Sequence, residues 1–236
     1  MQRPKTGFKQ KNDDDLIKTN INFIEKYTEL LYEEKFEQKV KGARSILVLV
    51  ADPTNLVRLI TEYESQLDII SRTMKEEHKK NIELLLHILC FFYTFSFYEE
   101  FHQILFYHSI GETCLNIIEF QYAKYVIRKN EIKNKAYNTD ISPKEYQKEL
   151  DKFLFLVRKQ DRILRLAFTI LMHLAEDPKV ELKMVKRDIV GFLVKNLDRN
   201  NVNLIIIILL FLKKLSIFAE NKESMIRNNI LNEYMK

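Results

Sequence analysis

From Leu16 onward the apolar positions Ile17, Ile21, Ile24, Leu30 and Leu31 recur at helical steps. The first dozen residues lack such a pattern, so 1–13 read as a flexible tail, and Asp13-Asp14-Asp15 offer a cap and favourable charge for the first helix. A second helix is predicted over 38–51 and stopped by Asp52-Pro53. The same periodicity predicts helices over 54–75, 79–96, 98–107, 111–135, 143–175, 179–185, 188–197, 201–218 and 221–234. No stretch alternates as a strand would, so 14–236 is expected to form one all-helical domain.

A repeated signal organises these helices. Leu49-Val50-Ala51-Asp52-Pro53 closes one apolar helix, and Leu174-Ala175-Glu176-Asp177-Pro178 closes another. Weaker versions stand at Thr94-Phe95-Ser96 and Lys214-Leu215-Ser216. With Leu49, Phe95, Leu174 and Leu215 as equivalent positions, the outer two intervals fit the roughly 40–47-residue period of armadillo or HEAT repeats. The middle interval is nearly double and holds a charged segment at 121–150, either a degenerate repeat or a lengthened helical hairpin. The long helix ending at Ala175, the short one at 179–185 and a third at 188–197, closed by the turn Asp198-Arg199-Asn200-Asn201, follow the three-helix plan of an armadillo repeat, and the helices at 79–96 and 201–218 are apolar nearly all round, as expected between stacked units. The fold class expected is therefore all-α: an armadillo-like right-handed superhelical solenoid of about four units with a charged helical insertion. Because the helix at 201–218 has an interior pattern and little sequence follows it, its outer face is expected to be covered by further chain, by an oligomer or by a partner.

Composition sharpens this picture. Only four glycines and four prolines occur in 236 residues, too few for the turns of a sheet-rich fold. The net charge of +5 is too mild to select a partner. Cys90 and Cys114 are too few for a disulfide scaffold and suit a reducing compartment. The most apolar windows, 84–93 and 204–212, fall short of the ~20 residues of a membrane span, so no membrane insertion is expected.

No site chemistry emerges from the motifs. Gly7, Gly42, Gly111 and Gly191 are too scattered for a phosphate loop, and no nucleophile elbow is present. His87, Cys90, His102, His108 and Cys114 match no established zinc spacing and read as packing residues. Glu33-Glu34, Glu76-Glu77 and Glu99-Glu100 are adjacent and diverge on a helix, which suits solvated faces and not paired acids. No catalytic residue, metal or cofactor is expected. The segment 122–137 mixes Lys124, Arg128, Lys129, Lys133 and Lys135 with Tyr125, a loose form of the basic-aromatic pattern of single-strand nucleic-acid binders.

More specific identities appear at Leu174-Ala175-Glu176-Asp177, Glu181-Leu182-Lys183-Met184, Ile189-Val190, Leu193-Val194, Leu197-Asp198-Arg199 and Phe211-Leu212-Lys213-Lys214-Leu215-Ser216-Ile217-Phe218, with Glu220-Asn221-Lys222 after them. Upstream, Tyr27, Leu31-Tyr32-Glu33, Lys39-Val40, Gly42-Ala43, Phe92 and Phe101-His102 keep the same order. In these polar and apolar positions together the chain resembles the kinesin-associated protein family. The resemblance implies a non-enzymatic cytoplasmic armadillo adaptor of heterotrimeric kinesin-II. Such an adaptor binds the tails of two motor polypeptides and links them to cargo or transport-complex proteins, including intraflagellar transport in the cilium or flagellum. It covers the N-terminal part of the family's length. The third helix of each unit is expected to line the concave wall, and in the clearest unit the helix at 188–197 would present Lys195, Asn196 and Arg199 on or near its polar side as candidate partner-binding residues. The competing readings are another armadillo scaffold, or a helical RNA-binding protein using 122–137. The absence of tryptophan counts against an import receptor.

Overall fold

A computed structural model describes residues 19–137 and 142–228, and all regular structure among them is helical. The tail expected at 1–13, the Asp13-Asp14-Asp15 cap, Leu16, Ile17 and the end of the helix expected at 221–234 lie outside the described residues.

Asn20 caps a 3-10 turn, Ile21–Phe23, that runs into α1 (Ile24–Glu29) and a second turn, Leu30–Tyr32. α2 (Phe36–Leu49) follows, and Gly42 lets it approach this segment closely. A Cβ at Gly42 would meet the Tyr27 carbonyl oxygen at 2.5 Å and Leu30 Cβ at 2.8 Å. Next come α3 (Pro53–Thr61), α4 (Glu64–Glu77) and α5 (Ile82–Ser96), and then the turn Glu99–Phe101 leading into α6 (His102–Tyr107). α7 (Ile110–Ala136), α8 (Pro143–Leu174), α9 (Pro178–Lys186), α10 (Ile189–Lys195), α11 (Val202–Leu215) and α12 (Ala219–Arg227) complete the order.

The single helix expected over 54–75 is two helices. Tyr63 leaves helical geometry at φ −133° and ψ 35°, so α3 and α4 meet at a corner. Leu56, Leu59, Leu67, Ile70 and Met74 are all buried. With Tyr63 they form an unbroken 3–4 spacing, so periodicity could not reveal the corner; packing on both sides of it decides.

The repeated Asp-Pro pair does more than stop a helix. Asp52 Oδ1 accepts from the Thr54 amide at 3.0 Å and Asp177 Oδ1 from the Lys179 amide at 2.8 Å, each with proline in the first turn. Each pair therefore nucleates the next helix, where proline lacks only an amide that would have had no partner. Six residues after the end of a long helix a side chain returns to its last carbonyls. Asn55 Nδ2 donates to the Leu49 oxygen at 2.8 Å, and Asn221 Nδ2 to the Leu215 oxygen at 3.2 Å. His102 Nε2 lies 2.9 Å from the Ser96 oxygen in the same relation.

α2, α5, α8 and α11 pack side by side in succession, and a second row runs α1, α4, α7 and α10. Hydrogen bonds between side chains report the same offset. Thr28–Gln66, Lys39–Glu77 and Asp161–Arg199 join residues 38 apart, and Asp161–Asn201 and Glu181–Asn221 join residues 40 apart. Between the rows lies a continuous apolar core in which Phe91, Phe92, Phe95, Phe168 and Phe211 are fully buried. The middle interval is long because α7 and α8 have 27 and 32 residues and fold back on one another. Arg128 and Lys135 of α7 both reach Glu149 of α8 at 3.0 Å across this hairpin.

Candidate partner-binding face

The long helices bury one side and leave the other to solvent. On α5 the solvent-facing stripe is Glu83, His87, Cys90, Thr94 and, just past its end, Phe97; on α8 it includes Arg158, Arg162 and Arg165. On α11 it is Ile206, Leu210 and Lys213. These stripes share one face. A shallow depression of about 250 Å³ is lined by Tyr93 of α5, Arg165, Leu166 and Thr169 of α8, and Asn203, Ile206 and Ile207 of α11. Arg162 and Arg165 are also near enough to favour the thiolate of Cys90, although burial wins and pushes that thiol up.

The candidate residues Lys195, Asn196 and Arg199 stand elsewhere. Asn196 and Arg199 are 0% and 2% exposed, which corrects the expectation that they line a wet face. Arg199 Nη1 donates to Asp161 Oδ1 at 2.8 Å, its Nε donates to Asn196 Oδ1 at 3.0 Å, and its guanidinium carbon lies 3.9 Å from the centre of the Tyr125 ring. Asn201 Nδ2 takes the other Asp161 oxygen at 3.3 Å, and Asn196 Nδ2 returns to the Phe192 carbonyl at 2.8 Å. The cluster fastens the α10–α11 turn to α7 and α8; a buried charge is tolerated only with such partners. Lys195 alone is exposed, with its ammonium over the rings of Tyr122 and Phe192.

Three of the five cations of the basic-aromatic segment, Arg128, Lys129 and Lys135, are likewise tied up internally. Arg128 pairs with Glu131 and Glu149, Lys129 with Asp198 at 2.7 Å, and Lys135 with Glu149. Hydrogen bonds from Lys152 and Lys135 hold the Glu149 carboxyl down to about 2. Tyr125 is buried against Phe153 and Arg199, so the aromatic needed for base stacking is not offered to solvent.

The histidines and cysteines do not converge. Among the described residues no group of three or more His, Cys, Asp or Glu could hold a metal ion. His87 Nδ1 lies 2.8 Å from the Glu83 carbonyl oxygen, His102 sits at the end of α5, and His108 Nδ1 lies 3.2 Å from Asp68. Burial pushes the Cys114 thiol far up, so it stays protonated. A larger groove, about 1070 Å³, runs between α6 and α9, lined by acids such as Glu112 and Glu176, bases such as Lys183 and Lys186, and the exposed ring of Phe106. Among the described residues no single helix is long and apolar enough to cross a membrane.

Two packed rows of helices with an open face running across the long ones define a helical protein whose surface suits another polypeptide. Residues 4–236 match the family model of kinesin-associated protein (KAP), and the chain belongs to that family. The family is one of non-enzymatic, kinesin-associated adaptors, and it agrees with the resemblance carried by the LAED, ELKM and FLKKLSIF segments.

Proposed function

We propose that this chain is an accessory adaptor of heterotrimeric kinesin-II that grips the motor tails with the open face of α5, α8 and α11. The fold is read as an armadillo-like right-handed solenoid of about four units; because Asn196 and Arg199 beside the helix expected to line the wall are buried, the long helices α5, α8 and α11 take its place as the helices of the open side. Links to cargo, to intraflagellar transport and to the cilium are proposed as part of the same reading. The observation that carries it is the lateral succession of the long helices, each with a solvent-facing stripe, in a chain of this family. The internal pairing of Arg128, Lys129 and Lys135 speaks against the RNA-binding alternative.

The test is retention of this protein on paired kinesin-II motor tails, followed by mapping of protected amides. Retention with protection along α5, α8 and α11 is expected. Failure to be retained by a chain shown to be folded would defeat the assignment. The exposed apolar side chains Val202, Ile206 and Leu210 make self-association at the α11 edge a second measurable outcome, read by sedimentation over a concentration series.

A further inference from the structure

Arg158, Arg162 and Arg165 stand at i, i+4 and i+7 on α8, all exposed, on the face that α8 turns away from the core. Over that spacing they span about 10 Å of one helix. None of the three is in an ion pair among the described residues, whereas Arg128, Lys129, Arg187 and Lys214 each have an acid within 3.0 Å. The acid of the neighbouring α5 stripe, Glu83, makes no ion pair with them either. Like charges one turn apart on a helix repel and cost a few tenths of a kcal/mol per pair.

The stripe is not isolated from apolar surface. Arg165 rims the depression formed with Tyr93, Thr169, Ile206 and Ile207. Cations beside a small apolar hollow suit a ligand with carboxylates around one apolar side chain. Guanidinium forks take carboxylates in bidentate fashion, and burial of an apolar group beside them excludes water. Nucleic acid suits the site less well. Tyr93, the aromatic that lines the hollow, is half-buried and packed on Phe97 and His173, so its ring is not offered to a base.

We infer that Arg158, Arg162 and Arg165, with the adjoining hollow between α5, α8 and α11, dock an acidic polypeptide segment that carries an apolar anchor. This deepens the adaptor reading by giving the chemistry of the partner, and it rests on that reading only for the partner's identity.

The test uses the full chain and a fluorescein-labelled peptide with glutamates at i, i+4 and i+7 around one leucine. Fluorescence polarisation reads its affinity for the wild type, for Arg162→Glu with Arg165→Glu, and for Lys183→Glu with Lys186→Glu. The last variant makes the same charge change in the groove between α6 and α9. Circular dichroism melting confirms that each variant folds. The α8 reversal is expected to weaken the peptide at least roughly tenfold, and the control to stay near the wild type. A serine in place of the leucine is expected to weaken binding to the wild type. Equal losses in the two variants, or no loss in the α8 variant, would overturn the inference in favour of diffuse charge attraction. Tighter binding of a single-stranded oligonucleotide than of the peptide, lost with the same arginines, would overturn it in favour of nucleic acid. The motor-tail arm separates the two claims. If the wild type takes the peptide but not the tails, the adaptor reading falls and this site stands. If the α8 variant keeps both peptide and tails, the site falls and the adaptor reading stands.

Discussion

Removing Arg199 leaves the Asp161 carboxylate, 4% exposed, with only Asn201 as a partner. An uncompensated buried charge costs about 3–5 kcal/mol, so Arg199→Ala is expected to lower the free energy of unfolding from urea titration by that much. Replacing both residues, Asp161→Leu with Arg199→Met, is expected to recover most of the loss; equal losses in the single and double variants would show that packing and not charge is at stake. The polar type of Asn196 and Arg199 suggested a wet surface because the acid that pairs with Arg199, and so draws both residues inward, lies 38 residues away and leaves no local trace. One signal was present: Asp161 is in helical phase with Leu164, Phe168 and Leu171, all fully buried, which placed an acid on the core side of α8. The histidines give a pH signature. Burial, chiefly, holds His108 below its ordinary value of 6.5; burial and then the Lys214 charge do the same to His173. Their folded values lie below the unfolded ones, so the unfolded chain takes up protons first. Their contribution is present above about pH 6.5 and is lost as pH falls through the folded values. Urea midpoints are expected to drop on acidification across this range, and His173→Gln to flatten the drop.

At the scale of elements, the Asp-Pro pairs and the apolar runs were legible because a cap and a stop are local chemistry. The ends of α8 and α9 fall within a residue of where the periodicity put them. The corner between α3 and α4 was not legible, since the stripe through Leu59, Tyr63 and Leu67 keeps helical spacing while the backbone turns. The side chain that returns six residues after a long helix was also missed, although asparagine recurs there at Asn55 and Asn221. Asn55→Ala removes the donor from the Leu49 carbonyl, and a lost hydrogen bond of this kind costs about 1 kcal/mol. The expected outcome is a loss of that size in denaturant unfolding, with faster amide exchange confined to the α2–α3 junction; unchanged exchange there would rule out the capping role.

For the whole molecule, α2, α5, α8 and α11 pack each against the member of the row before and after it, so a defect should spread by neighbours and not everywhere at once. Phe211 of α11 and Phe168 of α8 are both fully buried, and cutting either to alanine costs about 3–5 kcal/mol. Amide exchange is expected to rise in α9–α12 for Phe211→Ala while α2–α5 keep their protection. Phe168→Ala, in the middle of the row, is expected to loosen both neighbours. Uniform loss of protection in the two variants would mean that the chain unfolds as one unit.

The α7–α8 hairpin obeys a different rule from the rest. On α8 the buried residues begin only at Gln160, although the helix starts at Pro143, which leaves about 25 Å of it as a prong outside the laminated body. Adding or trimming one turn on both helices of that prong would change its length by about 5 Å and leave the packing between α5, α8 and α11 in register. Reach and grip are thus independently adjustable within one chain, and the prong is the natural place to splice in a reporter or a second recognition sequence.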